Sequence, residues 1–152
     1  MSNKTESAHL ILKLYELRRD EKMRDARNWI VSFFPESAQD ILNAMISAET
    51  SAYFRMVTSY WDMAASFVNH GAIDEEMFND VQSEHIVAFS KIEPFLEEVR
   101  TILGNPGFLH NLEKLIMKSP EVKDVLAKRR ETMKRWMQAR AALQNEASAE
   151  MK

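Results

Sequence analysis

Residues 50–70 constrain this chain more than any other stretch. Phe54, Val57, Trp61, Ala65 and Val68 recur at three- and four-residue steps, and Tyr53, Met56, Tyr60, Met63 and Phe67 form a second stripe beside them. Only Arg55, Ser59, Asp62, Ser66 and Asn69 leave a polar strip. A helix apolar over most of its circumference is normally enclosed by other helices, so this segment is expected at the centre of an all-α fold. Its exit is chemically explicit. Gly71 suits the positive-φ C′ position, and Ala72 beside Phe67 completes a Schellman motif. Asp74 then caps a following helix whose dipole favours Glu75 and Glu76, while Ile73 and Phe78 take the two places of a hydrophobic staple. So short a connection makes the two helices antiparallel neighbours.

The flanking sequence carries the same period. Leu10, Leu14 and Leu17 start a stripe that fails at Asp20 and Glu21 and restarts with Met23, Ala26, Ile30 and Phe33. A break near Asp20 is therefore expected, with Asp20 capping the second segment and Pro35 ending it. Ser37 and Asp40 resemble a capping box for a short helix through Ile41, Leu42, Met45 and Ile46. After Asp74, Phe78, Val81, Ile86, Phe89 and Ile92 continue to Pro94, which kinks this helix or opens a new one running to Gly104. Asn105-Pro106-Gly107 turns into a short helix with Phe108, Leu112, Leu115 and Ile116. Ser119-Pro120 opens a last helix whose stripe is Val122, Leu126, Met133, Trp136 and Met137. From about Gln144 hydrophobicity falls away. The expectation is one bundle of about six to seven helices over residues 1–143 and a frayed tail over 144–152.

Part of this punctuation resembles a known family. Tyr60-Trp61-Asp62-Met63-Ala64-Ala65-Ser66-Phe67-Val68-Asn69-His70-Gly71-Ala72-Ile73-Asp74, then Phe78 and Pro94 to Arg100, is similar to a family of small bacterial all-helical proteins of unknown function. In that family an aromatic-rich helix ends in Gly-x-Ile-Asp and a Pro-x-x-x-x-x-Arg element follows. Leu17-Arg18-Arg19-Asp20 and Met23-Arg24 extend the likeness, which spans residues 10–104. The resemblance implies a helical fold and assigns no catalytic residue. Many of its relatives carry an N-terminal membrane helix; no such segment is read in this chain.

Composition closes off several classes. A chain of 152 residues can bury a core without staples, since domains of that size hide about 68–70% of their unfolded surface. With 3 glycines and 4 prolines there are too few turn-formers for a sheet of many hairpins. Without cysteine, disulfides and thiolate metal sites are excluded, which fits a reducing compartment. No apolar run approaches the ~18 residues of a membrane span, so the cytoplasm is the expected location.

Candidate chemistry is sparse. Arg55 and Asp62, seven residues apart on one side of the central helix, are the nearest approach to a polar pocket for a small ligand; a solvent strip or a salt-bridged seam explains them as well. Glu6-x-x-His9 has the spacing of a di-iron motif, but it occurs once and such sites need it twice. His70 and His110 sit at helix ends or turns, and His85 alone is placed to lie inside. Asp74-Glu75-Glu76 lacks the spaced ligands and turn glycine of a calcium loop. No nucleophile elbow, metalloprotease motif or phosphate-cradling loop is present. No metal, no cofactor and no catalytic residue are expected. Ten methionines fall mostly in core stripes, with an adaptable binding surface as the second reading.

Charge is lopsided. Residues 36–98 hold twelve acidic and two basic side chains, and residues 118–140 hold eight basic and three acidic ones, although the net charge is only −3. The basic final helix is expected to dock on the acidic segment through its apolar stripe. The function that fits best is a non-enzymatic interaction or regulatory module with a protein partner or self-association. The alternatives are a nucleic-acid-associated protein using residues 118–140 and a ligand-binding or enzymatic pocket at Arg55 and Asp62.

Overall fold

Local capping chemistry divides the chain. In the computed structural model, which describes residues 3–152, nine α-helices follow one another: α1 (Lys4–Leu17), α2 (Glu21–Ser32), α3 (Ala38–Ile46), α4 (Ser51–Asn69), α5 (Glu75–Val81), α6 (Glu84–Ile92), α7 (Leu96–Leu103), α8 (His110–Ile116) and α9 (Val122–Glu150). A 3-10 turn, Glu93–Phe95, joins α6 to α7 at Pro94. No strand occurs among the described residues, and the fold is all-α. Met1 and Ser2, the first residues of the expected 1–143 domain, lie outside the described residues.

The caps are those the sequence points to. Asp20 accepts a hydrogen bond from the Met23 N–H, so α1 and α2 are separate helices. The Ser37 hydroxyl accepts from the Asp40 N–H, while the Asp40 carboxylate reaches back to the N–H of Glu36 instead of Ser37, one residue earlier than a standard box. At the end of α4, the Gly71 N–H bonds to the Val68 carbonyl and the Ala72 N–H to the Phe67 carbonyl, with Gly71 at φ 82°. This is the Schellman geometry. Asp74 caps α5 through the Met77 N–H, and Ile73 and Phe78 are both buried.

The helices divide more finely than the six to seven that the periodicity suggests, and the last begins later. The segment after Asp74 breaks at Gln82 and Ser83, because Gln82 takes an extended backbone and closes α5. The final helix begins at Val122, past the Ser119-Pro120 signal.

Helix α4 packs against α2, α3, α5, α6 and α8. Its first stripe is sealed: Phe54, Val57, Trp61, Ala65 and Val68 are all buried, Trp61 completely. The second stripe is only partly covered, since Met63 and Phe67 lie at the surface. One contiguous apolar cluster draws on every helix from α1 to α9, the last through Leu126.

Helix α9 behaves differently along its 29 residues, a length of about 43 Å at 1.5 Å per residue. Its first half lies on α6 and α2, and every residue after Met137 is exposed. Helical pairing nonetheless continues to Glu150, past the point near Gln144 where fraying was expected. Ala, Gln and Glu dominate there, and their intrinsic propensity sustains a helix that touches nothing. Among the described residues no helix is long and apolar enough to cross a membrane.

Candidate functional site

Arg55 and Asp62 do not form a pocket together. Asp62 turns toward α8, where its two carboxylate oxygens accept from the Leu112 N–H and the Asn111 side-chain amide, each at 3.0 Å. The N-cap of α8 is Leu109, a left-handed residue that makes no side-chain capping bond. Asp62 supplies the missing N-terminal acceptor from another helix. Arg55 stays exposed, its Nε 3.4 Å from the Ser51 carbonyl on its own helix.

The histidines are dispersed. His9, His70 and His110 lie at the surface, with His70 Nδ1 2.8 Å from the Ser66 carbonyl. His85 is buried between the rings of Trp61 (5.6 Å between centroids) and Phe78 (5.0 Å). Burial pushes its pKa down to about 4, with the Arg129 charge adding to the effect. Among the described residues no three His, Asp or Glu side chains gather as a metal centre requires.

The strongest polar constellation is one that sequence reasoning missed. Arg18 at the end of α1 and Arg27 on α2 converge on Glu84 at the start of α6. Arg18 Nη2 donates to Glu84 Oε2 at 2.7 Å, and Arg27 Nε and Nη2 grip both carboxylate oxygens at 2.9 and 3.0 Å. Arg18 Nη1 also donates to the Gln82 amide oxygen at 2.8 Å, and its guanidinium lies 5.5 Å from the Trp61 ring centroid. Hydrogen bonding to Glu84 raises the Arg27 pKa further. Tyr60 donates its hydroxyl proton to the Leu14 carbonyl beside this group, and desolvation lifts its pKa to about 12. Such a cluster holds the α1–α2 corner against the α5–α6 corner. A signal for it exists in the sequence: Arg18 stands four residues after buried Leu14, Arg27 four after buried Met23, and Gln82 four after buried Phe78. Where an apolar stripe seems to stop, a polar side chain has been turned inward.

Two further cations work the same way. Lys91, one of the two basic residues in the acidic segment, is buried, and its Nζ donates to the Val31 and Phe33 carbonyls at 2.8 and 2.7 Å. It also sits 3.8 Å from the Phe34 ring centroid, next to a cavity of about 310 Å³ shared with Arg130 and Lys134. Desolvation pushes its pKa down to about 7. Arg100, the arginine of the Pro-x-x-x-x-x-Arg element, is buried and donates to the Phe108 carbonyl at 2.9 Å and to Glu97 and Glu113. It staples the Asn105–Gly107 turn to α7.

The final helix is only half docked. Leu126 is buried against the body, and Arg130 donates to the Ser90 carbonyl at 2.7 Å and lies 3.8 Å from Glu93. Trp136, expected in the docked stripe, is instead 67% exposed. At 100° per residue Trp136 and Met137 point to different sides, and the rotation of α9 on α6 favours Met137. A groove of about 470 Å³ remains beside Trp136, lined also by Ser83, Val87, Val125, Arg129 and Met133.

No curated protein and no solved structure matches the chain. Residues 5–119 match a family described as a domain of unknown function (DUF4760), so the match takes in α1 to α8 and stops short of α9. With three quarters of its length covered, and its caps and clamps inside the matched span, the chain belongs to the DUF4760 family.

Proposed function

We propose that the chain is a non-enzymatic, cytoplasmic interaction or regulatory module in which α1 to α8 form the scaffold and α9 is the interacting arm. What carries this reading is the contrast between interior and arm. Three interior polar groups are spent on structure: Glu84 on two arginines, Asp62 on the start of α8, Lys91 on the end of α2. Glu84 and Asp62 are engaged within the fold, and the Lys91 ammonium, although beside a cavity of about 310 Å³, is held by two backbone carbonyls. Exposed apolar side chains stand in water on α9 at Val125, Trp136 and Leu143, as they do on α1 at Leu10, Leu12, Tyr15 and Leu17, and those of α9 belong to an arm that leaves the body.

The nucleic-acid reading is the weaker one. Lys123, Lys128, Arg129, Arg130, Lys134, Arg135 and Arg140 project around the whole circumference at 100° per residue, interrupted by Asp124 and Glu131, and Arg130 is turned inward. Tracking phosphates needs the charges on one side. The test is co-purification from the native host with the full chain and with Trp136→Glu, read by mass spectrometry. Proteins retained by the first and lost with the second are expected; identical sets for both would overturn the assignment of α9 as the arm.

A further inference from the structure

Helix α9 presents two working faces about a quarter turn apart. Leu126, Arg130 and Met137 lie toward the body. On the adjacent face, Val125, Arg129, Thr132, Trp136, Leu143 and Ala147 fall within about 40° of one another's mean direction at 100° per residue. This face is open at Val125 (47% exposed), Trp136 (67%) and Leu143 (67%), while Arg129 and Thr132 are half-buried against the body. Its two ends have opposite character. Near the body it carries Arg129, flanked by Lys128 and Arg135, and forms the Trp136 groove with Val87 of α6 and with Ser83 just before that helix. Beyond the body, the only charged residues between Ala141 and Met151 are Glu146 and Glu150.

A face with apolar anchors at Val125, Trp136 and Leu143, flanked by basic side chains at one end and by Glu146 and Glu150 on its two sides at the other, is complementary to its own copy laid antiparallel. An isologous two-fold contact requires that self-complementarity. We propose that a second copy of this chain docks here, the two α9 helices pairing antiparallel about an axis between Ala139 and Arg140. The register follows from the sequence. Residues whose numbers sum to 279 face each other, which sets Leu143 against the partner copy's Trp136, Ala147 against its Thr132 and Glu150 against its Arg129. Glu146 falls within two residues of the facing Arg135, on the same flank of the seam. The free turns of each α9 fill the groove of the other, and the shared seam from Arg129 to Glu150 runs about 32 Å. Leu143 and Trp136 supply the apolar anchor, while the charges set direction and register. This deepens the interaction reading by naming the partner, and it rests on α9 being the arm.

The experiment is the mass of the full chain in solution by sedimentation at about 100 μM, where a dimer is expected. Leu143→Glu should raise the dissociation constant at least tenfold while leaving the melting temperature of the dilute, monomeric chain unchanged, since the side chain is 67% exposed within its own copy. Two charge-reversed chains, E146K/E150K and R129E/R135E, should each be monomeric alone and should form a one-to-one heterodimer when mixed. A monomeric wild-type chain, or a dimer that Leu143→Glu leaves intact, would overturn the proposal, as would a mixture that fails to assemble. Because co-purification through Trp136 is read separately, a monomeric chain that still retains proteins through Trp136 refutes self-association while leaving the interaction module standing.

Discussion

Acid should destabilise this protein in part through one buried histidine. His85 is held neutral between Trp61 and Phe78, with its pKa near 4 against 6.5 for an exposed imidazole. Between those two values the unfolded chain binds a proton that the native protein refuses. The slope of stability with pH is therefore positive there, and stability present above pH 6.5 is lost as pH falls toward 4. A difference of 2.5 units at 1.36 kcal/mol each sets a ceiling of roughly 3 kcal/mol, most of it gone by pH 4. The control is His85→Phe, an uncharged ring of comparable size in an aromatic cage. Urea melts of both chains at intervals from pH 7.5 to 4.0 give the difference in stability, from which the contributions of the carboxylates cancel. The wild-type chain should lose about 3 kcal/mol more than the variant over that range. Parallel profiles for the two proteins would mean that His85 is protonated without penalty, and the argument from its burial would be wrong.

Three other substitutions probe the parts of the fold argued above. Trp61→Ala should cost about 3–5 kcal/mol in a denaturant melt, because the indole is fully buried at the crossing of α4 with its neighbours; a loss under 1 kcal/mol would remove α4 from the centre of the core. Gly71→Ala should cost about 1 kcal/mol, purely from the left-handed backbone, since a Cβ there meets nothing within 4 Å. A neutral result would refute the turn geometry. Glu84→Gln should cost about 3 kcal/mol, because two partly buried guanidiniums lose their shared counter-charge. Adding Arg18→Met to that variant should recover part of the loss, and a double variant no better than the single would show that the clamp is not acting through charge.

What could be read from residues alone was whatever depends on neighbours within about five positions. The stop at Asp20, the cap at Ser37, and the sequence Gly71–Asp74–Phe78 that turns α4 into α5 are of this kind. A capping bond spans two to four residues, and a Schellman turn spans six, so each is written in a short string. The central position of residues 50–70 was legible for a related reason: a helix with apolar side chains on most sides has no solvent face to offer.

The polar clamps were not legible, because their partners are distant in sequence. Glu84 meets Arg18 across 66 positions, Lys91 meets Val31 across 60, and Asp62 meets Leu112 across 50. Nothing near Asp62 distinguishes a carboxylate that lines a pocket from one that caps another helix. The two stripes of α9 pose the same problem in rotation, since Trp136 and Met137 are equally apolar and adjacent, and the packing of α9 on α6 alone selects which of them is covered. By itself the sequence determined where helices start and stop and which one the others surround, since those follow from local hydrogen bonding and from period. The tertiary structure decided which polar side chains turn inward and which face of the last helix stays open, because burial depends on what other segments bring to the same place.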